Sequence, residues 1–141
     1  MTPGDVLDLA RFVAKDGLTV DEVIARVGPV TEDHGVPLPM DLEPSLTGTR
    51  EARLWTHPDS GEPYLLEVTP EPGVAPTVAG LESVLGRPRP ARRSFGEPES
   101  WVFEPSGLEG RVSVTVRVAS DGPTSAGTIT WCRELAGTRA R

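Results

Sequence analysis

The most regular segment of the chain is a run of alternating valines. Val112, Val114, Val116 and Val118 are separated by single polar or charged residues. Because successive side chains of a strand point to opposite faces, this pattern predicts a strand with one buried face and one wet face. Such a strand is typical of an antiparallel sheet whose apolar face needs a second layer. The chain must therefore supply helices to cover it.

Three segments have the signals of amphipathic helices. Residues 3–16 carry apolar side chains at helical spacing. Residues 19–27 begin with a capping box, in which Thr19 and Glu22 satisfy each other's backbone donors. A third, shorter helix is predicted over residues 77–85. We expect the first two helices to pair as a helical hairpin.

Further strands are predicted beside turn signals. Residues 52–69 contain two alternating stretches around a Pro-Asp-Ser-Gly turn, which is typical of a hairpin. Shorter strands are predicted at residues 101–103 and 128–133. Residues 29–49 and 87–99 are rich in proline and show no apolar period, so we interpret both as loops.

Together these elements predict an α+β fold in one domain over residues 1–141. An N-terminal helix pair and a third short helix should pack on an antiparallel sheet of about four to six strands. The helices should cover the valine face, and we place Leu66, Phe103 and Trp131 in the core.

A helical pattern recurs along the chain at an offset of 58 residues. Thr19 begins a predicted helix whose apolar spacing returns after Thr77. This echo favours a second description, two degenerate repeats over residues 18–75 and 76–135. Capped amphipathic helices that end in glycine are common, so an unrepeated domain stays open.

The pattern Thr-x-x-x-Val-x-x-x-Val-Gly-x-Val at residues 19–30, followed by antiparallel strands with aromatic residues, resembles the helix-pair-plus-sheet unit of SmpA/BamE-type outer-membrane assembly lipoproteins. It is also similar to the β-lactamase inhibitory proteins, where a similar unit occurs in tandem. The resemblance covers about residues 5–135 and implies a binding module rather than a catalyst. With a single cysteine, the chain has no cysteine pair like that of the secreted inhibitors.

Charge is distributed unevenly along the chain. The net charge is −7, but residues 1–86 carry −10 and residues 87–141 carry +3. An acidic chain repels nucleic acid and anionic membranes, so we expect neither as a partner. The split favours a charged protein partner or self-association.

The most unusual short segment is residues 87–93, which read Arg-Pro-Arg-Pro-Ala-Arg-Arg. Proline keeps this backbone extended, so the guanidinium groups are displayed for carboxylates or phosphates. The candidate binding residues of this segment are Arg87, Arg89, Arg92 and Arg93. Arg111 and Arg117 would extend the patch along the valine strand.

A second candidate site lies on the predicted hairpin. Trp55 and His57 share one face of their strand, and Tyr64 follows on the return strand. A sheet-floored pocket for a small ligand or substrate at these three residues is therefore an alternative.

Recognised catalytic motifs are missing from the sequence, including the nucleophile elbow and the phosphate-binding loop. Cys132 is the single cysteine, which excludes an intramolecular disulfide, and we expect it to be packed in its strand. Glu32, Asp33 and His34 lie together, but their spacing is not that of a known metal site. We expect neither a metal nor a cofactor.

The sequence has no signal-like segment and no apolar run long enough for a membrane span, so we expect a cytoplasmic protein. Thirteen arginines against one lysine are typical of high-GC bacterial coding. We predict a non-enzymatic protein-binding module of the inhibitor, immunity or adaptor type, which uses Pro/Arg-rich loops and the exposed sheet face. The alternatives are the pocket described above, in a small enzyme or ligand-binding protein, and self-assembly through the oppositely charged halves.

Overall fold

A computed structural model describes residues 1–91, 100–119 and 122–134. Within these ranges the chain forms three α-helices, one short 3-10 helix and eight strands. The helices are α1 (Pro3–Val13), α2 (Val20–Val27) and α3 (Val78–Leu85), with the 3-10 helix at Pro72–Val74. The strands are β1 (Val30–Asp33), β2 (Met40–Leu42), β3 (Thr49–Thr56), β4 (Pro63–Pro70), β5 (Arg89–Pro90), β6 (Ser100–Phe103), β7 (Val112–Ala119) and β8 (Gly122–Arg133).

The eight described strands form one sheet in the order β1-β2-β3-β4-β8-β7-β6-β5. Every neighbouring pair is antiparallel. Strands β1 to β4 make one meander and β5 to β8 make another. The two meanders join where β4 pairs with β8, with Leu66 opposite Trp131.

The predicted fold class is wrong in its strand number. The chain has an α+β fold with an antiparallel sheet, but the sheet has eight strands instead of four to six. The additional strands come from segments predicted as loops, since β1 and β2 lie within residues 29–49 and β5 within residues 87–99. These strands are short and lie at the sheet edges, and only Leu42 among their side chains is buried. They therefore lack the alternation by which a strand is recognised in sequence.

The predicted N-terminal helix pair is also wrong. Helix α1 packs against α3 and against strands β7 and β8. Helix α2 turns Val23 and Val27 into the core. It meets α1 at the margin, where the Arg26 guanidinium lies 5.5 Å from the centroid of the Phe12 ring. The apolar face of α2 is therefore buried in the common core and is not used to form a helical hairpin with α1.

The capping box predicted at Thr19 and Glu22 is confirmed, and the other two α-helices are also capped by threonine. Thr2 with Asp5, and Thr19 with Glu22, form capping boxes at the starts of α1 and α2. The Thr77 hydroxyl accepts a hydrogen bond from the backbone N–H of Gly80 at 3.0 Å. A cap of this kind contributes about 1 kcal/mol to helix stability. None of the described helices combines the length and apolar character that a membrane span requires.

The core lies between the helices and one face of the sheet. The four valines of β7 are buried, as are Leu66, Phe103 and Trp131, which confirms these core predictions. The Trp131 indole N–H donates to the Val6 carbonyl oxygen at 3.1 Å. The polar atom of the largest core side chain is therefore paired, and the pair joins β8 to α1.

Arg133 makes a second connection between β8 and helix α1. Its Nε donates to the Val13 carbonyl oxygen at 3.0 Å, and its second terminal nitrogen donates to the Lys15 carbonyl oxygen at 2.9 Å. Carbonyl groups at the end of a helix have no partner within the helix and carry partial negative charge, so a guanidinium stabilises them. Strand β8 thus holds α1 near its first turn and again past its last.

The described elements fall into two successive groups with the same order. Helix α2 is followed by β1 to β4, and helix α3 is followed by β5 to β8. The groups lie within the proposed repeats at residues 18–75 and 76–135. The repeat itself stays a prediction.

We expect Trp131→Phe to lower the free energy of unfolding by about 1–3 kcal/mol, because the buried hydrogen bond is lost and the smaller ring leaves space. Urea unfolding followed by circular dichroism measures the change. Trp55→Phe, at a half-buried position on the other face of the sheet, is the control and should cost less. Equal losses in both variants would contradict the anchoring role of Trp131.

Candidate functional site

Strands β1 and β2 form a hairpin that projects from one edge of the sheet. Its base is closed by backbone hydrogen bonds, from Glu43 N–H to the Pro29 carbonyl and from Ser45 N–H to the Val27 carbonyl, both at 2.8 Å. Gly28 makes this closure possible, because its φ of +151° suits glycine and a Cβ there would overlap the Glu43 carbonyl oxygen. The end of α2 therefore sets the position of the hairpin.

The tip of this hairpin, residues 34–39, displays apolar side chains. Val36 is 54% exposed and Leu38 is 59% exposed, which is unusual for large apolar residues. The tip is ordered by short contacts, with Leu38 N–H donating to the Gly35 carbonyl at 2.8 Å and Gly35 N–H donating to Asp33 Oδ1 at 2.9 Å. Pro37 adds a fixed φ.

The stem of the hairpin carries acidic groups around one histidine. The register places Glu32 directly opposite Asp41. The His34 ring lies between them, with Nε2 2.9 Å from Asp41 Oδ2 and Nδ1 3.8 Å from Glu32 Oε1. The hydrogen bond to Asp41, and then the charge of Glu32, raise the pKa of His34 above its ordinary value. The ring lies between two carboxylates that repel each other, and both favour its positively charged form.

These three residues are also a group whose donor atoms could hold a divalent ion. One nitrogen of His34 and one oxygen each from Glu32 and Asp41 lie within 4.8 Å of one another. Imidazole with carboxylates is a donor set that transition metals accept. The Arg53 Nε, however, lies 3.4 Å from Asp41 Oδ1 and already supplies a positive charge there. Internal ion pairs account for the cluster without an ion.

The sheet face opposite the core is the second feature of the site, and we call it the open face. The three described α-helices contribute to the core on the other side. Cross-strand registers align its side chains in rows, and none of these side chains is fully buried. The central row reads Glu32, Asp41, Arg53, Glu67, Thr130, Thr115, Val102 and Arg89. One flanking row contains Trp55, Leu65, Cys132 and Ser113. On the other flank Glu51 pairs with Thr69, and Arg117 pairs with Thr128 and Ser100. Continuing the β4–β8 register by one residue beyond the Val68–Ile129 pair places Thr69 opposite Thr128 and joins these residues in one row.

Of the three predicted pocket residues, His57 and Tyr64 are in contact at one end of the β3–β4 hairpin. The His57 and Tyr64 rings meet edge to face with their centroids 6.5 Å apart. Trp55 lies on β3 opposite Leu65. A cavity lined by Tyr64 and core residues such as Leu18 and Leu66 has a volume of about 10 Å³. Such a space holds at most a water molecule.

The predicted arginine patch is described only in part. Arg87 and Arg89 are exposed, and an Arg89 terminal nitrogen lies 3.7 Å from Glu104 Oε1. Arg92 and Arg93 lie outside the described residues. Of the two arginines expected to extend the patch, Arg117 is exposed on the open face. Arg111 instead donates to Asp16 Oδ1 at 2.9 Å, beyond the end of α1.

Cys132 lies on the open face, opposite the core face of Ile129 and Trp131, and it is exposed instead of packed. Partial burial of its sulfur is the main cause that raises the pKa of this thiol.

Sequence reasoning missed two parts of the site. Asp41 contacts His34 only because the β1–β2 register brings them together, and no local spacing signals it. The exposed Val36 and Leu38 lie in a Pro-rich segment interpreted as a loop, and neither was named as a binding residue, although both are apolar residues next to proline.

Comparison with known proteins gives information about the fold and not about a family. No family profile matches the chain, and no curated protein sequence matches it. The fold is similar to the crystal structure of a DUF4309 family protein, YjgB, from Bacillus subtilis. That similarity has a TM-score of 0.63 with 16% sequence identity, and it covers 94% of this chain and 97% of the other. An α+β fold with an antiparallel sheet is thus shared with a solved bacterial protein. The resemblance to SmpA/BamE-type proteins and β-lactamase inhibitory proteins stays a prediction.

We expect the stability contribution of the His34–Asp41 pair to depend on pH. Because the pKa of His34 is raised on folding, this contribution is complete below the unfolded pKa of about 6.5 and is lost as the pH rises through the folded value. An NMR titration of the His34 ring measures the folded pKa. Asp41→Asn should lower it, whereas Glu43→Gln, on the same hairpin but outside the ring contacts, should leave it unchanged. An unchanged pKa in Asp41→Asn would contradict the pairing.

We also expect Gly28→Ala to lower the free energy of unfolding by about 2–5 kcal/mol, because backbone strain and overlap with Glu43 act together. The matched control is Gly61→Ala, where φ is +73° but no atom lies near the added Cβ. Strain alone there should cost about 1–2 kcal/mol. Thermal and urea unfolding compare the two, and equal losses would mean that Gly28 does not close the hairpin.

Proposed function

We propose that this chain is a non-enzymatic protein-binding module of the inhibitor, immunity or adaptor type. It contacts its partner through the Pro-rich tip of the β1–β2 hairpin and the adjoining open face. The observation that carries the proposal is the hairpin tip, where Val36 and Leu38 are more than half exposed on a stem of carboxylates. Exposed apolar groups rimmed by charge are typical of protein interaction sites.

The chemistry of the hairpin defines the partner surface that it fits. Two aliphatic side chains suit a shallow apolar pocket. The acidic stem, with Glu32, Asp33 and Asp41, suits a rim of arginine or lysine around that pocket. Such a rim would also accelerate association, since the first 86 residues carry a charge of −10.

The order of the tip supports tight binding. Backbone contacts at Gly35 and Leu38 hold the tip in one conformation, and Pro37 and Pro39 restrict it further. A preorganised loop loses little conformational entropy when it binds. The displayed Arg87 and Arg89 at the other edge of the sheet offer a second, basic contact region for an acidic part of the partner.

A cytoplasmic location belongs to the same proposal. Cys132 is exposed and is a free thiol, which suits a reducing compartment. The alternative of a ligand pocket near Trp55, His57 and Tyr64 is supported by the ring contact of His57 with Tyr64. Its adjoining cavity is far below the 300–1,000 Å³ that is typical of ligand sites.

The test compares proteins captured by the chain with those captured by two matched variants. Val36→Asp/Leu38→Asp removes the apolar tip, and Val74→Asp changes a valine that is 57% exposed elsewhere. A captured partner should then be purified and titrated by calorimetry. We expect the tip variant to weaken its binding at least about 30-fold, a loss of about 2 kcal/mol, which is typical of a binding hot spot. The Val74→Asp variant should bind as the wild type does. If the tip variant captures and binds the same partner as the wild type does, the proposal is contradicted.

A further inference from the structure

We propose that the open face binds a second copy of this chain, with the two sheets face to face and a two-fold axis running along the strands. The inference rests on the proposed function in one respect, that the open face is a protein contact surface. Three features carry it: the change of charge sign across the face, the symmetry of the strand order, and the sizes of the side chains that meet.

The charge of the open face changes sign from one edge to the other. Four carboxylates lie on the β1 to β4 side of the face: Glu32, Asp41, Glu51 and Glu67. The basic groups beside them are Arg53, the His34 ring, which contacts Glu32 and Asp41, and Arg50, which lines a groove together with Asp41 and Glu51. On the β5 to β8 side, Arg89 and Arg117 are the charged residues of the open-face rows. Arg89 has a carboxylate of its own chain nearby, Glu104 at 3.7 Å, whereas no ion pair is described for Arg117. A surface with this distribution is complementary to itself after a half-turn.

The strand order is symmetric about the line between β4 and β8, with four strands on each side. A two-fold axis along this line carries β3 over β7 of the second copy and β1 over β5, and it preserves each residue's level along the strands. Glu51 and Arg117 belong to one row of the face, and Glu32 and Arg89 to another. Glu51 therefore faces Arg117 of the second copy, and Glu32 faces Arg89 of the second copy.

Charge also selects this axis over its alternative. An axis across the strands would carry β3 over β3 of the second copy and β2 over β2. Carboxylates would then oppose carboxylates, which costs free energy at an interface. With the axis along the strands, Asp41 faces Val102 of the second copy, and its charge stays compensated by Arg53 of its own chain.

Side-chain sizes match in the same arrangement. Trp55 and Ser113 lie in one row, and so do Leu65 and Cys132. After the half-turn, Trp55 faces Ser113 of the second copy and Leu65 faces Cys132 of the second copy. Each large side chain thus meets a small one, which lets the two faces interdigitate at the roughly 10 Å spacing of packed sheets.

The test begins with sedimentation velocity of the full chain over a range of concentrations, at about 0.05 M and about 0.5 M salt. We expect a dimer that dissociates more readily at high salt. Glu51→Arg and Arg117→Glu should each weaken dimerisation at least about 10-fold, because each places like charges face to face. Carrying both changes on one chain should restore the dimer.

Mixing the two single variants gives the sharpest outcome. Each single variant places like charges opposite each other in its own homodimer. In a heterodimer of Glu51→Arg with Arg117→Glu, both contacts between residue 51 and residue 117 join opposite charges, so the mixture should form heterodimers. Glu82→Arg, an exposed change on helix α3 away from the open face, is the matched control and should leave dimerisation unchanged. Circular dichroism confirms that each variant is folded.

Cys132 supplies an independent readout with the unmodified chain. Strand β8 lies next to the proposed axis, so a short bismaleimide at mildly alkaline pH should link the two cysteines across the dimer. The covalent dimer should disappear at high salt and in Glu51→Arg.

A chain that stays monomeric at low salt overturns the inference, as does a Glu51→Arg variant that dimerises like Glu82→Arg. The proposed function fails separately, when Val36→Asp/Leu38→Asp leaves partner binding intact. Dimerisation is tested at the charged residues of the open face and partner binding at the apolar side chains of the hairpin tip, so the two failures are distinguishable.

Discussion

Helix α1 is held to the sheet through strand β8, and the arrangement of both faces depends on that attachment. Trp131 bonds the helix at Val6 and Arg133 bonds its last carbonyl groups. Because β8 lies at the centre of the sheet between β4 and β7, the attachment fixes the helical layer over the middle of one face. The other face keeps its threonines, charged residues and Trp55 available for contact.

The predictable parts of the fold are those with a repeating local pattern. The alternation of β7 identified a sheet with one buried face, and the capping threonines located the helix starts. The short strands β1, β2 and β5 near the margins of the sheet were not predicted. Most of their side chains are not buried, so their sequences lack the alternation of apolar and polar residues that indicates a strand. The α1–α2 hairpin was wrong because proximity in sequence does not show where the apolar face of α2 is satisfied. The His34–Asp41 contact depends on a register that Gly28 and Glu43 set at the hairpin base, and local spacing does not encode it.

The similarity to YjgB of Bacillus subtilis at 16% identity shows how little of such a fold depends on particular surface residues. Buried positions need only apolar side chains of suitable size. The features of this chain that suggest a function are on the outside: an acidic hairpin with an aliphatic tip, and a sheet face whose charged residues are distributed unevenly across eight strands. The residues at these positions are therefore more informative about function than the residues of the core.

The two ends of the sheet have a consequence for how this protein behaves when concentrated. Pro90 is half of β5 and has no N–H to donate, while β1 at the far end is short and carries Glu32 and Asp33. Neither margin offers a template for an incoming strand. Extension of one molecule's sheet by another molecule is therefore disfavoured at both margins. Concentrated solutions are expected to remain clear and free of amyloid-like fibrils.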